Sequence, residues 1–158
     1  MPSNLIRVKA FVALVIMIDL SPIPNSRALT MLQSCASPEC TVLVVDDDDS
    51  AREALRHLLE AEGFVVRTYS NAKGVLGEND VPDNSCLVTD FHMPGMDGLE
   101  LVDELRLRGN SIPAILVTGD PNPFVRERAA IARVPVIEKL SSVNSVVECI
   151  HSMVKSVG

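Results

Sequence analysis

Five side chains in the sequence have the types needed to hold a hard cation and act on a phosphorus centre: Asp46, Asp47, Asp90, Thr118 and Lys139. Each sits where a short apolar run stops. Val42-Leu43-Val44-Val45 runs into Asp46-Asp47, Cys86-Leu87-Val88-Thr89 into Asp90, Ala114 to Val117 into Thr118, and Val134 to Ile137 into Glu138-Lys139. Runs of this length, rich in β-branched residues, read as buried strands. In open parallel sheets, ligands bind outside the carboxyl ends of the strands, so all five residues converge on one pocket. Three carboxylates about 5 Å apart repel by roughly 3 kcal/mol per pair at an effective dielectric of about 20, against a total stability of about 5–15 kcal/mol. A hard divalent cation with oxygen ligands relieves that repulsion. With no thiolate or imidazole cluster in the sequence, the choice falls to Mg²⁺ or Mn²⁺. Lys139 supplies a second positive charge. Cations for the equatorial oxygens and a carboxylate in line are what phosphoryl transfer demands, and Asp90 is the nucleophile of that arrangement.

The elements that must position these groups can be read along the chain. Ser50-x-x-Glu53 has capping-box spacing, Ala51, Leu55, Leu58 and Leu59 fall on one helical face, and Gly63 closes the helix. Phe64 to Tyr69 reads as a strand carrying Arg67, followed by a weaker helix over about 71–78. After Asp90, Met93-Pro94-Gly95-Met96-Asp97-Gly98 is a turn-rich loop in which Asp97 and Gly98 shape a turn and a helix start, and Leu99, Val102 and Leu105 mark the helix that ends at Gly109. A helix containing Phe124, Val125, Ala129 and Ile131 follows Pro123, and Val143, Val147, Ile150, Val154 and Val157 trace a last one. Five strands alternating with five helices predict a doubly wound α/β fold, a five-stranded parallel sheet with helices on both faces. The flavodoxin-like order 2-1-3-4-5 is expected, because it puts the runs carrying Arg67 and Pro135 at the edges.

Composition narrows the field of functions. With 158 residues, 47% of them hydrophobic, the chain has room for one ordinary domain and a tail. Fourteen basic against 21 acidic residues give a net charge of −7, the wrong sign for gripping phosphate backbones, and an aromatic fraction of 3% removes stacking platforms. No direct nucleic-acid contact is expected. Cys35, Cys40, Cys86 and Cys149 have no C-x-x-C pair or zinc spacing and read as reduced thiols, with Cys86 and Cys149 as small buried hydrophobes.

Residues 1–40 form an N-terminal extension with two acids and three bases, whereas 41–158 hold 19 acids and 11 bases. The apolar run Ala10 to Ile18 is nine residues long, too short for the about 20 that span a bilayer, so no membrane association is expected. Arg7 and Lys9 before it and Ser26-Arg27-Ala28 after it suit a secretory signal, while Asp19 comes early for one. A start at Met31 and a plain extension are the other readings, and they are favoured because the chemistry above needs cytoplasmic partners.

Val45-Asp46-Asp47-Asp48, Thr89-Asp90-x-x-Met93-Pro94-Gly95-Met96-Asp97-Gly98, Thr118-Gly119 and Lys139 together resemble the receiver domain of two-component response regulators, over residues 41–157. The separations of 44, 28 and 21 residues between Asp46, Asp90, Thr118 and Lys139 are similar to the family's. The resemblance implies that Asp90 accepts a phosphoryl group from a phosphohistidine of a sensor histidine kinase or histidine phosphotransfer protein. It also implies that Asp47 and Asp90 bind Mg²⁺ directly, Asp46 through water, and His92 through its backbone carbonyl. Thr118 and Lys139 are then the partners of the phosphoryl oxygens, and the switched state is read by a downstream protein the sequence does not name. On this reading the chain is a cytoplasmic signalling domain that promotes its own phosphorylation and dephosphorylation, and not an enzyme with a separate substrate.

Two positions depart from the family. Leu140, followed by Ser141-Ser142, stands where a proline is usual, and Val136 stands where an aromatic usually rotates on activation. These departures motivate an alternative, a degenerate receiver that acts as a constitutive protein-interaction module. An Asp-nucleophile phosphatase of the haloacid dehalogenase kind is a third reading, against which His92 occupies the place of that family's second acid. With a receiver over 41–157, no output domain is expected at the C-terminus. Asp48 and Asp49 read as acids at the positive end of the first helix, and His57 and His151 as helix residues without a chemical role.

Overall fold

A computed structural model describes residues 40–139 and 144–155. Leu140, Ser141, Ser142, Val143, Val157 and the readings of residues 1–39, Cys35 included, lie outside these. The described elements alternate as expected: β1 (Thr41–Val45), α1 (Asp49–Ala61), β2 (Val65–Tyr69), α2 (Ala72–Leu76), β3 (Ser85–Thr89), α3 (Gly98–Leu107), β4 (Ala114–Thr118), α4 (Pro123–Ala132), β5 (Val136–Glu138) and α5 (Asn144–Lys155). The sheet order is β2-β1-β3-β4-β5, every pairing is parallel, and β2 carrying Arg67 lies at an edge. This is the predicted doubly wound, flavodoxin-like order.

Period-two alternation sends the central strands' side chains into two separate cores. Leu43, Val45, Leu87 and Leu116 pack with α2, α3 and α4, whereas Val42, Val44, Cys86, Val88 and Ile115 pack with α1 and α5. Each fully buried Leu or Ile contributes roughly 1.5–3 kcal/mol relative to exposure. Cys40 and Cys86 are buried free thiols, and Cys149 is a half-buried one. Burial pushes the Cys86 thiol up to about 12.

Local chemistry moved several boundaries. β5 starts at Val136, not Val134, because the Val134 N–H closes α4 by donating to Ala129 O and Pro135 has no N–H to give a strand. β2 starts at Val65, one residue after the predicted Phe64. α2 is confined to Ala72–Leu76 by the Asn71 side chain at its start and Gly77 at its end. Ser50 does not cap α1. The N-cap is Asp48, whose Oδ1 accepts the N–H groups of Ser50 at 2.8 Å and Ala51 at 3.0 Å, and Glu53 pairs with Arg56 instead of closing a box. Those two backbone hydrogen bonds hold the Asp48 carboxyl below its usual range.

α3 starts where the backbone of the loop after β3 leaves no room. A Cβ on Gly98 would stand 2.2 Å from the backbone oxygen of Asp90, and the Gly98 N–H donates to Phe91 O at 3.2 Å. Asp97 caps this helix in a full capping box with Glu100. Gly98→Ala is therefore expected to cost about 1–3 kcal/mol, read as a fall in the urea midpoint at unchanged slope.

Tyr69, the sole tyrosine of a chain without tryptophan, donates to Glu78 Oε1 at 2.6 Å. Burial and the Glu78 carboxylate push its phenol up to about 12. The folded state thus keeps a proton that the unfolded chain releases near pH 10, so this stabilisation is complete below pH 10 and lost as pH rises towards 12. Phenolate absorbance is expected to show a midpoint near 12 in the folded protein and near 10 in denaturant, and Glu78→Gln to lower the folded value.

Candidate functional site

Because β1, β3, β4 and β5 run parallel, their last residues stand along one edge of the sheet. Val45 pairs with Thr89, and Thr118 with Glu138, so Asp46, Asp90 and Lys139 each leave the sheet one residue later on the same side. The Lys139 ammonium lies between two carboxylates, donating to Asp90 Oδ2 at 2.8 Å and to Asp46 Oδ2 at 2.9 Å. Asp46 and Asp90 are 6% and 7% exposed, so this pairing satisfies charges that water barely reaches. Burial alone would lower the lysine's pKa. The hydrogen bonds it donates to both carboxylates, together with their negative charge, outweigh burial, and the net direction is upward.

The two buried carboxylates differ in what is left over. Asp46 is fully engaged, since its other oxygen accepts the Asp48 N–H at 2.9 Å. Arg52 secures the same turn by donating to the Asp46 backbone oxygen at 2.7 Å and by pairing with Asp49. On Asp90, Oδ1 is buried and has no hydrogen-bond partner among the described residues. Backbone bonds fix that residue from below: its N–H donates to Val45 O at 2.9 Å, and its carbonyl oxygen accepts the Thr89 hydroxyl at 3.1 Å.

Oxygens of Asp46, Asp47 and Asp90 lie within 4.8 Å of one another, with Asp47 exposed at the mouth. Among the described residues three carboxylates gather around one ammonium, and one buried oxygen lacks a partner. An all-oxygen set with these needs fits a hard divalent cation of the Mg²⁺ class, which keeps waters and takes few protein ligands.

Thr118 is fully buried at the end of β4; its hydroxyl accepts the Asp120 N–H at 3.3 Å and its carbonyl accepts the Lys139 N–H at 2.9 Å. The structure therefore brings Asp46, Asp47, Asp90 and the Lys139 ammonium together and sets Thr118 beside them on the next strand. His92 follows in the loop after β3, its ring exposed and edge-on to Phe91 with centroids 4.9 Å apart. Val136 is half-buried on β5, and no helix of the described residues is long and apolar enough to cross a membrane.

Two features of the site were not visible in the sequence. One is that a single lysine bridges both buried carboxylates. The other is Arg128 on α4, which reaches Asp97 Oδ2 at 2.6 Å across 31 positions. Nothing in the spacing of either pair announces it, because the contact exists only once the sheet order is fixed.

Known proteins share this fold and much of this sequence. The model of the response regulator receiver domain matches residues 42–150. The transcriptional regulatory protein FixJ of Azorhizobium caulinodans is 39% identical over 99 residues, which are 62% of this chain and 47% of that protein. The C4-dicarboxylate transport transcriptional regulatory protein DctR of Rhodobacter capsulatus is 32% identical over 111 residues, 68% of this chain and 56% of that one. Among solved structures, the crystal structure of FixJ-N superposes with a TM-score of 0.68 at 33% identity, covering 73% of this chain and 94% of its own. The chain spans about half the length of the curated relatives it matches. It belongs to the response regulator receiver domain family of two-component signal transduction.

Proposed function

We propose that this protein takes a phosphoryl group from a phosphohistidine onto Asp90 and changes its affinity for a partner protein as a result. The observation that carries the reading is the asymmetric pairing at Asp90: Oδ2 held by Lys139, Oδ1 buried and unpartnered. In the transfer, an Asp90 carboxylate oxygen forms the new O–P bond as the P–N bond to the donor imidazole breaks, and the imidazole leaves with the electron pair and takes up a proton. On this reading Lys139, within 2.8 Å of Asp90, pairs with the incoming phosphoryl oxygens, and Thr118 donates its hydroxyl to them. The added group brings about −1.5 to −2 charge and three acceptors, enough to redirect both residues.

Mg²⁺ supplies neutralisation of the charge spread over the phosphoryl oxygens. The free Asp90 oxygen and the exposed Asp47 carboxylate are its direct ligands on this reading. Asp46, spent on Lys139 and Asp48 N–H, acts through water, and the His92 carbonyl completes the set. The donor is a sensor histidine kinase or histidine phosphotransfer protein in the cytoplasm, and the domain promotes phosphorylation and dephosphorylation of itself without a separate substrate. Val136 favours a second reading, a degenerate receiver that binds its partner constitutively, because an aliphatic side chain cannot supply an aromatic's rotation.

Intact mass after incubation with Mg²⁺ and a small acyl phosphate separates the two. One added phosphoryl group on wild type and none on Asp90→Asn is the expected result; no addition to wild type moves the weight to the constitutive module. Thermal melts test the metal set independently. Asp47→Asn is expected to raise the midpoint in chelator, by removing one of three clustered negative charges, and to abolish most of the rise that Mg²⁺ gives wild type.

A further inference from the structure

Arg128 lies in the middle of α4, yet its guanidinium is tied to the loop that follows the phosphoacceptor. It donates to Asp97 Oδ2 at 2.6 Å, and its central carbon stands 5.6 Å from the ring centroids of both Phe91 and Phe124. Phe91 directly follows Asp90 and is buried; Asp97 caps the helix whose Gly98 abuts the Asp90 carbonyl; Phe124 on α4 is 62% exposed. A planar cation is suited to this place, since it stacks on aromatic faces while its edge bonds a carboxylate. One side chain therefore connects both flanks of the Asp90 loop to α4.

We propose that Arg128 is a positioning residue that clamps α4 to the Asp90 loop in the unmodified protein and releases it when Asp90 carries a phosphoryl group. α4, with the exposed ring of Phe124, then reports the state of Asp90 without an aromatic at position 136. The inference rests on the function proposed above. Its other half is a chain of hydrogen bonds at the start of α4. The Thr118 hydroxyl accepts Asp120 N–H at 3.3 Å, the Asp120 carboxylate accepts from Asn122 Nδ2 at 3.1 Å, and Asn122 Oδ1 accepts Val125 N–H at 3.1 Å as the N-cap. Drawing Thr118 towards a phosphoryl group pulls the helix at its first turn while Arg128 holds it at Asp97. On this proposal the pull through Thr118 and the hold at Asp97 compete, and phosphorylation tips the balance by releasing Arg128. By linkage, weakening the clamp favours the state in which Asp90 is occupied.

The test uses the full chain with beryllofluoride and excess Mg²⁺ as the phosphoryl analogue, comparing wild type with Arg128→Ala, Arg128→Lys and Asp97→Asn. Asparagine keeps a capping side chain and drops the charge. Analogue affinity is measured together with amide exchange along every element. In wild type the analogue is expected to raise exchange in residues 122–133. In Arg128→Ala that segment exchanges fast before the analogue is added, the difference shrinks, and the analogue binds at least about fivefold more tightly. Arg128→Lys and Asp97→Asn fall between.

Wild-type uptake with unchanged affinity and an unchanged α4 response in Arg128→Ala overturns the clamp and leaves the proposed function standing. Exchange that rises throughout Arg128→Ala while the two milder variants match wild type also overturns it, since that is a packing role. No uptake by wild type overturns the proposed function itself, and the clamp with it.

Discussion

Everything at the carboxyl edge of the sheet depends on one charge balance, three carboxylates against one ammonium. Asp46 and Asp90 are nearly water-free, and ions so placed are tolerated only when paired. Lys139 provides the pairing for one oxygen of each, and backbone N–H groups provide part of the rest. What the described residues do not pair is the third carboxylate and the second oxygen of Asp90. A protein that needed only stability would replace these groups with apolar ones at little cost. Keeping them places an unmet demand for positive charge at a fixed point, which is what a site for a cation and a phosphoryl group requires.

The demand stays fixed because the backbone around it has no freedom to relax. Asp90 follows a strand buried along its whole length, is held by Val45 and by the Thr89 hydroxyl, and has Gly98 packed against its carbonyl at a distance no side chain tolerates. The capping box of Asp97 and Glu100 then sets where α3 begins. On the other side, Asp48 both donates its N–H to Asp46 and caps α1 with its carboxylate, so one residue serves the site and the helix start. The burial that builds the two cores and the polarity that builds the site meet at single residues along this edge.

These layers differ in how far the sequence discloses them. Strand cores were legible because Val42 to Val45 and Cys86 to Thr89 are continuous apolar runs, and a run buried on both faces has one interpretation in an α/β chain. The grouping of Asp46, Asp47, Asp90 and Lys139 followed from them, since parallel strands end on one side. Helix starts were less legible. Asp47-Asp48-Asp49-Ser50 offers four residues able to cap, and the choice of Asp48 is made by the turn that Asp46 needs. The limits of β5 were hidden for a related reason: Val134 suits a strand by type, but its N–H is claimed by Ala129 across the turn. Arg128 belongs to the least legible class, for its partners lie on another helix and in a loop.

α4 is attached to the rest of the fold through few buried side chains. Of its ten residues only Val125 and Ala129 are buried, and Phe124 and Ile131, apolar by type, stand 62% and 79% exposed. The strand it leads into is three residues long and half-buried, and the helix closes through Arg133 in the left-handed region, where glycine costs least. With little apolar area to fix it, the helix owes its position to directed contacts at a few points, and such contacts can be exchanged. Burial would resist displacement in proportion to area, whereas one guanidinium and one N-cap change hands locally. α4 is thus tied to the loop after Asp90 by a few contacts, the Arg128–Asp97 bond foremost, more than by buried area.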